Sequence, residues 1–388
     1  MAACHHYTVG PYFGVDEPPQ TLEEDTLFAY LRLARTPHVG PITFQRLIQI
    51  YSTPQAALAA LPELSLRGGR KTALKPASLA SVRSEVVATR ARNGDYLIWG
   101  QAAYPFALSH IADAPIALAA FGNLSLLKRP IIAMVGSRNA SAAGQRMAQE
   151  LSQGLSAHGF VVVSGLARGI DTVAHRHAID TGTIAVLGNG ISHAYPRENK
   201  ELQERIIESG LVLSENHPDT APQASQFPRR NRIISGLASG VIIVEAARRS
   251  GSLITARLAN EQGREMMAVP GSPLDPRCHG SNNLLREGAY LIETVEDVLN
   301  IIQPQITAPT FQASAPADLR GEPALPNTLT PTQRADITRL LGPVPIAIDE
   351  LVSMSGLAVP LVYLAILELQ LAGRLTQEAD GKISLLDG

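Results

Sequence analysis

Between Arg129 and Ile302 the chain alternates short, uninterrupted apolar runs with amphipathic stretches, and few folds accept that pattern. The runs lie at 131–135, 160–163, 184–187, 211–213, 241–244 and 266–269. The stretches between them, such as 142–156 and 200–208, carry apolar residues at helical spacing. A strand with one wet face alternates apolar and polar residues, whereas a strand buried on both faces is apolar throughout. Strands of the second kind alternating with helices predict an α/β domain built on a doubly wound, mostly parallel sheet. Ligands of such sheets bind beyond the carboxyl ends of the strands. The residues that follow each apolar run are therefore the place to look for function.

The flanks have a different character. Residues 1–21 predict a flexible tail, and Cys4, His5 and His6 within it have no further ligands at metal-site spacing, so no metal is expected. Over 22–95 the pattern predicts a small helical domain of sterile-alpha-motif or helix-hairpin-helix type, with Phe28, Leu31, Leu33, Phe44, Leu47 and Ile48 at helical spacing. Arg46 is the one strong cation near its Val39-Gly40-Pro41 turn, which favours a packing role over DNA contact. Six prolines in 303–331 predict a semi-extended linker. Over 332–388 three helical stretches and a hairpin around Asp380-Gly381 give the order of a winged helix. Seven acids face four bases over 327–388, and the would-be recognition helix opens with Val359, Pro360, Leu361, Val362, Tyr363 and Leu364. That helix offers no base-reading side chain at its start. Packing or protein contact is the expected role of this domain.

The net charge is −2 over 388 residues, so any affinity for a polyanion must come from a local patch. One exists. Residues 227–257 hold Arg229, Arg230, Arg232, Arg248, Arg249 and Arg257 against the single acid Glu245. Two cysteines, Cys4 and Cys278, provide no disulfide framework and suit a reducing cytoplasm. No apolar run reaches membrane-spanning length, and none follows a basic amino terminus. A cytoplasmic protein without membrane contact is expected.

Four of the runs lead into small residues. After Val135 come Gly136, Ser137, Arg138 and Asn139. After Val163 the loop contains Gly165, Arg168 and Gly169. Leu187 leads into Gly188-Asn189-Gly190, and Val244 leads into Glu245 and then Ser250, Gly251 and Ser252. Glycine permits close approach to an anion, and a helix opening behind Gly and Ser offers free N–H groups to phosphate. Arg138 and Arg168 need either an internal carboxylate or an anionic ligand, and Arg138 is read as facing the ligand. Asp171 is expected to cap the following helix, His175 to sit in the core, and Glu245 to hold loop N–H groups or an arginine. Tyr195 and Phe227 are the only aromatics near these loops, which predicts contact dominated by the nucleic-acid backbone. No Gly-Lys-Ser/Thr, intact dinucleotide fingerprint or nucleophile elbow is present. No cofactor and no catalytic residue are expected.

The segments VGSRNASAAG (135–144), VSGLARGIDTVAH (163–175), AVLGNGISHAYPREN (185–199) and FPRRNRIISGLASGVIIVEAARRSGSLITA (227–256) resemble the DNA-processing protein A family, DprA/Smf. REMMAVPG (264–271), GSNNLLREGA (280–289) and YPFALSHIADAPIALAAFGN (104–123) extend the likeness across about 22–302. The resemblance implies an extended Rossmann-like DNA-binding domain over 96–302, in a homodimeric single-stranded DNA-binding recombination mediator of competence and natural transformation. It implies a protein that protects incoming DNA, loads RecA and counters SSB, without catalysis. It places DNA contacts at Gly136, Ser137, Arg138, Asn139, Gly165, Arg168, Gly169, Arg229, Arg230, Asn231, Arg232, Ser250, Gly251 and Ser252. The alternative is a nucleotide-processing hydrolase similar to the LOG phosphoribohydrolases. Those carry Pro-Gly-Gly-x-Gly-Thr, where this chain has Ser250-Gly251-Ser252-Leu253-Ile254-Thr255. The apolar stretch Leu284–Ile292 is the candidate dimer surface.

Overall fold

The run at 131–135 is covered on both faces. Ile131, Ala133 and Val135 enter one hydrophobic cluster, while Ile132 and Met134 enter a second on the opposite face. The computed structural model describes residues 22–307, 329–378 and 381–386. Cys4, His5, His6 and the rest of the expected tail, most of the expected linker, and Asp380 of the hairpin turn lie outside the described residues.

Four helices come first: α1 (Glu24–Arg35), α2 (Pro41–Tyr51), α3 (Pro54–Arg67) and α4 (Leu79–Arg90). The α/β region follows as β1 (Gly94–Ile98), α5 (Phe106–Ser109), β2 (Ala117–Gly122), β3 (Ile131–Gly136), α6 (Ala142–Ala157), β4 (Val161–Ser164), α7 (Ile170–Ala178), β5 (Thr183–Leu187), α8 (Lys200–Ser209) and β6 (Leu211–Ser214). It continues through α9 (Gln226–Leu237), β7 (Gly240–Val244), α10 (Ser252–Glu261), β8 (Glu265–Ala268), α11 (His279–Arg286), β9 (Tyr290–Leu291) and α12 (Val295–Thr307). The chain ends in α13 (Pro331–Leu340), α14 (Ile348–Ser355), α15 (Val359–Leu371), β10 (Leu375–Gln377) and β11 (Ile383–Leu385).

The sheet has the order β1-β2-β6-β5-β4-β3-β7-β8-β9. All neighbours from β6 to β9 are parallel, and β1 and β2 extend the sheet antiparallel. The chain works outward from β3 through β4, β5 and β6, then returns to the other side of β3 as β7. The direction of winding thus reverses between β3 and β7, where Gly136 lies opposite Val244. Such a switch point opens a crevice at the carboxyl edge.

All six strands expected from the apolar runs are present. Three others were not anticipated. β1 begins at Gly94, inside the range assigned to the helical domain, and β2 reads Ala-Leu-Ala-Ala-Phe-Gly, which is poor in the β-branched residues that mark strands. β9 has two residues, too few for any periodicity. The linker boundaries also shift. α12 runs on to Thr307 through Pro304. α13 starts at Pro331 because Thr330 and Gln333 form a capping box around it.

The chain divides into two compact units, one built from 85–307 and the other from 22–84 together with 329–386. The amino-terminal helices and the winged helix, expected as two separate domains, make up one unit in which α15 packs on α2 and α3. No single described helix is long and apolar enough to cross a membrane. The apolar pair α14–α15 is bent by 117°.

His175 sits in the core, as expected, fully buried with its Nδ1 2.8 Å from Thr183 Oγ1. Burial first, and then the charge of Arg230, holds its pKa down to about 3 from the usual 6.5. A histidine depressed in this way stabilises the fold fully above the unfolded value, and that stability is lost as the pH falls below it. Between pH 7.5 and 5 the loss from this one group is expected to be about 2 kcal/mol. Urea unfolding should show this extra pH slope in the wild type and not in a His175→Met variant. Equal slopes would contradict it.

Candidate nucleic-acid interface

The loops after β3, β4 and β7 meet the first turns of α9 at the switch point and enclose a cleft of about 640 Å³. Gly136, Ser137, Arg138, Asn139, Arg230, Asn231, Ser250, Gly251 and Ser252, nine of the residues expected at the site, line it. Gly165, Arg168, Gly169, Arg229 and Arg232 do not. Arg249 joins the lining, as do Tyr195 and Phe227.

The corrections within Arg229-Arg230-Asn231-Arg232 follow from helix geometry. These residues lie near the start of α9, where each successive side chain turns by about 100°. They cannot all face one ligand. Arg229 points to solvent outside the cleft. Arg232 is buried and held by Asp113 at 3.1 Å and Glu215 at 2.7 Å, which consumes its charge inside the protein. Arg230 forms the floor of the cleft. Its Nη1 donates to the carbonyl of Gly165 at 2.8 Å and to that of Val186, at the ends of β4 and β5. Burial lowers its pKa to about 10, so it is still a cation at neutral pH. Arg168 is exposed and ion-paired with Glu198, which lies beyond the cleft lining.

Several glycines also have internal reasons. A side chain at Gly136 would overlap the carbonyl oxygen of Val244, across the close β3–β7 pairing. At Gly165 a Cβ would stand 2.5 Å from Arg230 Nη2 and 2.9 Å from Asp171 Oδ2. Gly169 has φ +73° and serves as N-cap of α7. Protein atoms, not an open anion site, fill the space beside these three. Gly251 differs, with nothing within 4 Å of its missing side chain.

Asp171 is not the cap expected of it. It lies within the first turn of α7 and accepts from the backbone N–H groups of Gly165 at 3.1 Å and Ala167 at 3.3 Å, so it fixes the preceding loop. Its burial raises its pKa, and the positive charge of Arg230 opposes that rise. Glu245 does what the sequence suggested. From a left-handed backbone conformation, φ +54°, its buried carboxylate accepts from Ser141 N at 2.9 Å and from Ser141 Oγ. Ser141 is the N-cap of α6. The helix terminus that holds pyrophosphate in dinucleotide-binding sheets is therefore occupied by the protein's own anion.

The N-terminus of α10 holds no acid, but its first N–H groups turn inward, Ser252 N to Ser250 Oγ at 3.3 Å, Leu253 N to the Ser250 carbonyl at 3.1 Å and Ile254 N to the Gly251 carbonyl at 3.2 Å. Its N-cap, Gly251, makes no side-chain cap. Ser250 Oγ and Ser252 Oγ lie 2.7 Å apart beside it. Arg138 and Arg249 are exposed at the same cleft, and no carboxylate among the described residues pairs with them. Tyr195 and Phe227 form a tilted pair with centroids 5.1 Å apart, and Tyr195 keeps 43% of its surface exposed. Tyr195 precedes α8 and Phe227 opens α9, so spacing along the chain gives no hint that they meet. The cleft thus offers phosphate donors and a ring face together. Asp171, the one carboxylate in its lining, is committed to the backbone N–H groups of Gly165 and Ala167.

Three family models match the chain: DNA recombination-mediator protein A over 95–303, a DprA-like N-terminal HHH domain over 24–88, and a DprA winged helix domain over 320–381. The chain is 50% identical over 198 residues to the DNA processing protein DprA of Streptococcus pneumoniae, covering 50% of this chain and 70% of that one. It is 32% identical over 389 residues to Protein Smf of Synechocystis, covering 90% of this chain and 96% of that one. The solved structure of DNA processing protein A from S. pneumoniae matches with a TM-score of 0.59 at 35% identity, over 70% of this chain and 97% of that one. That of DNA processing protein A from Helicobacter pylori, described for its unique single-stranded DNA binding mode, matches with a TM-score of 0.50 at 31% identity, over 55% and 96%. The chain belongs to the DNA recombination-mediator protein A family.

Proposed function

We propose that the chain is a single-stranded DNA-binding recombination mediator of natural transformation, and that the switch-point cleft holds the DNA without catalysis or a cofactor. The observation that carries this reading is the meeting, in one cleft, of two exposed arginines without a carboxylate partner among the described residues, an aromatic pair and an acid-free helix N-terminus. Phosphates take the α10 terminus, Arg138 and Arg249, and an unstacked base takes the exposed face of Tyr195. A duplex keeps its bases stacked inside and cannot use that ring. The H. pylori relative's single-stranded DNA binding supports the same substrate class. On this reading the aromatic pair adds a stacking term to the backbone-dominated contact expected from the sequence.

Fluorescence anisotropy with labelled single- and double-stranded oligonucleotides tests this. A single-strand preference is expected, and Tyr195→Ala should weaken single-strand binding about tenfold while leaving the salt slope unchanged, since stacking releases no counterions. Equal affinity for duplex, or an indifferent Tyr195→Ala, would end this reading. Release of free base from purine mononucleotides would favour the LOG-like hydrolase instead. The Glu245 carboxylate at the α6 terminus argues against that alternative.

The family likeness supports a homodimer that loads RecA on SSB-coated strands in the cytoplasm. Within the candidate dimer surface, Tyr290 and Leu291 on edge strand β9 are exposed, whereas Ile292 is buried. RecA-driven strand exchange on SSB-coated DNA, with and without this protein, is the corresponding assay.

A further inference from the structure

We propose that the two ends of the chain are each other's binding partner: the third helix of the winged helix, α15, takes the α2–α3 face of the amino-terminal helices as its ligand in place of duplex DNA, and the two segments fold as one cooperative unit.

The composition of α15 is the first observation. Val362, Leu364, Ala365, Ile366, Leu367, Leu369 and Leu371 are all buried, and they lie right around the helix, not along one stripe. A helix that is apolar on every side must be covered on every side. α13, α14 and β10 cover part of α15, and α3 and α2 cover more. A DNA-reading winged helix leaves this third helix free for the major groove.

The second observation is how closely the two segments approach. A side chain at Gly68, which ends α3, would overlap the backbone carbonyl of Glu368 in α15. At Gly373, with φ +72°, a Cβ would stand 2.9 Å from His38 Cε1 in the turn before α2. The third is polar. The guanidinium of Arg46 in α2 lies 5.0 Å from the ring centroid of Tyr363 in α15, and its Nη1 donates to Gln370 Oε1 at 3.2 Å. Arg374 Nη1 donates to the Gly68 carbonyl at 3.3 Å. Beneath them, the fully buried Glu368 is held by Arg334 at 2.6 Å and 3.0 Å.

Arg46, beside the Val39-Gly40-Pro41 turn, and helix 359–371 are the positions by which a helix-hairpin-helix and a winged helix would meet DNA. Each is occupied by the other. A cation lying over Tyr363 is not presented to phosphate, and the groove-reading face of α15 is covered. The acidic balance of 327–388 fits a domain whose partner is protein.

Hydrogen exchange read by mass spectrometry on the full chain tests the proposal. Gly68→Leu should speed exchange in both α15 and α3 by about tenfold or more and leave β3, β4 and β7 unchanged. Retained protection in α15, or opening of one helix without the other, would overturn it. Should Gly68→Leu simply unfold the unit, Arg46→Met, Tyr363→Leu and the double variant decide. Each single change is expected to speed exchange about threefold, and the double to be no faster than the faster single. Independent, multiplying effects would overturn the contact. Arg46→Met should also leave single-stranded DNA affinity within about twofold and the salt slope unchanged. A large loss there would put Arg46 on DNA and defeat the proposal.

Discussion

Replacing Arg138 and Arg249 together by alanine is expected to weaken binding of a single-stranded oligonucleotide about a hundredfold. Each guanidinium can make a charge-assisted bond to phosphate worth about 1.5–3 kcal/mol. Neither has a carboxylate partner among the described residues, so the fold loses no ion pair when they are removed. The slope of log affinity against log salt should become shallower by about 1.4, because two contacts on a single strand are gone. Anisotropy titrations at several salt concentrations measure both quantities. Near-unchanged affinity in a variant with native unfolding behaviour would move the DNA away from the switch-point cleft.

Arg230→Met should act on the fold. The guanidinium satisfies the Gly165 and Val186 carbonyls and lies near the fully buried Asp171, whose ionised form depends on that positive charge. Removing it leaves buried acceptors without a donor and a buried acid without a counter-charge, a loss of about 3–5 kcal/mol. Urea unfolding reads it directly. Arg229→Ala, one residue earlier and exposed, should stay within about 0.5 kcal/mol. The contrast separates a structural arginine from a surface one. An Arg230→Met protein of wild-type stability that has lost DNA binding would show that the guanidinium serves the ligand and not the strand ends.

The same four-residue motif shows where sequence reasoning ends. Arg229-Arg230-Asn231-Arg232 reads as a cluster in one dimension, and its charge is real. Whether a given guanidinium meets phosphate, carbonyl or carboxylate depends on its direction around α9 and on what Asp113 and Glu215 place opposite it. Those acids lie 119 and 17 residues away in the chain. Tyr195 and Phe227 were visible as the only aromatics near the loops, but their pairing was not, because α8, β6 and the loop before α9 lie between them.

The sequence by itself determined the parallel sheet, because strands buried on both faces must be apolar at every position and their carboxyl-end turns must be small. It determined the core position of His175 and the loop-holding role of Glu245. Only the tertiary structure decided which arginines stay free, which helix N-terminus takes the protein's own acid, and that the two ends of the chain cover each other. Composition and periodicity report what a side chain needs from its surroundings. The partner that meets the need comes from a distant segment, and only the folded backbone brings the two together.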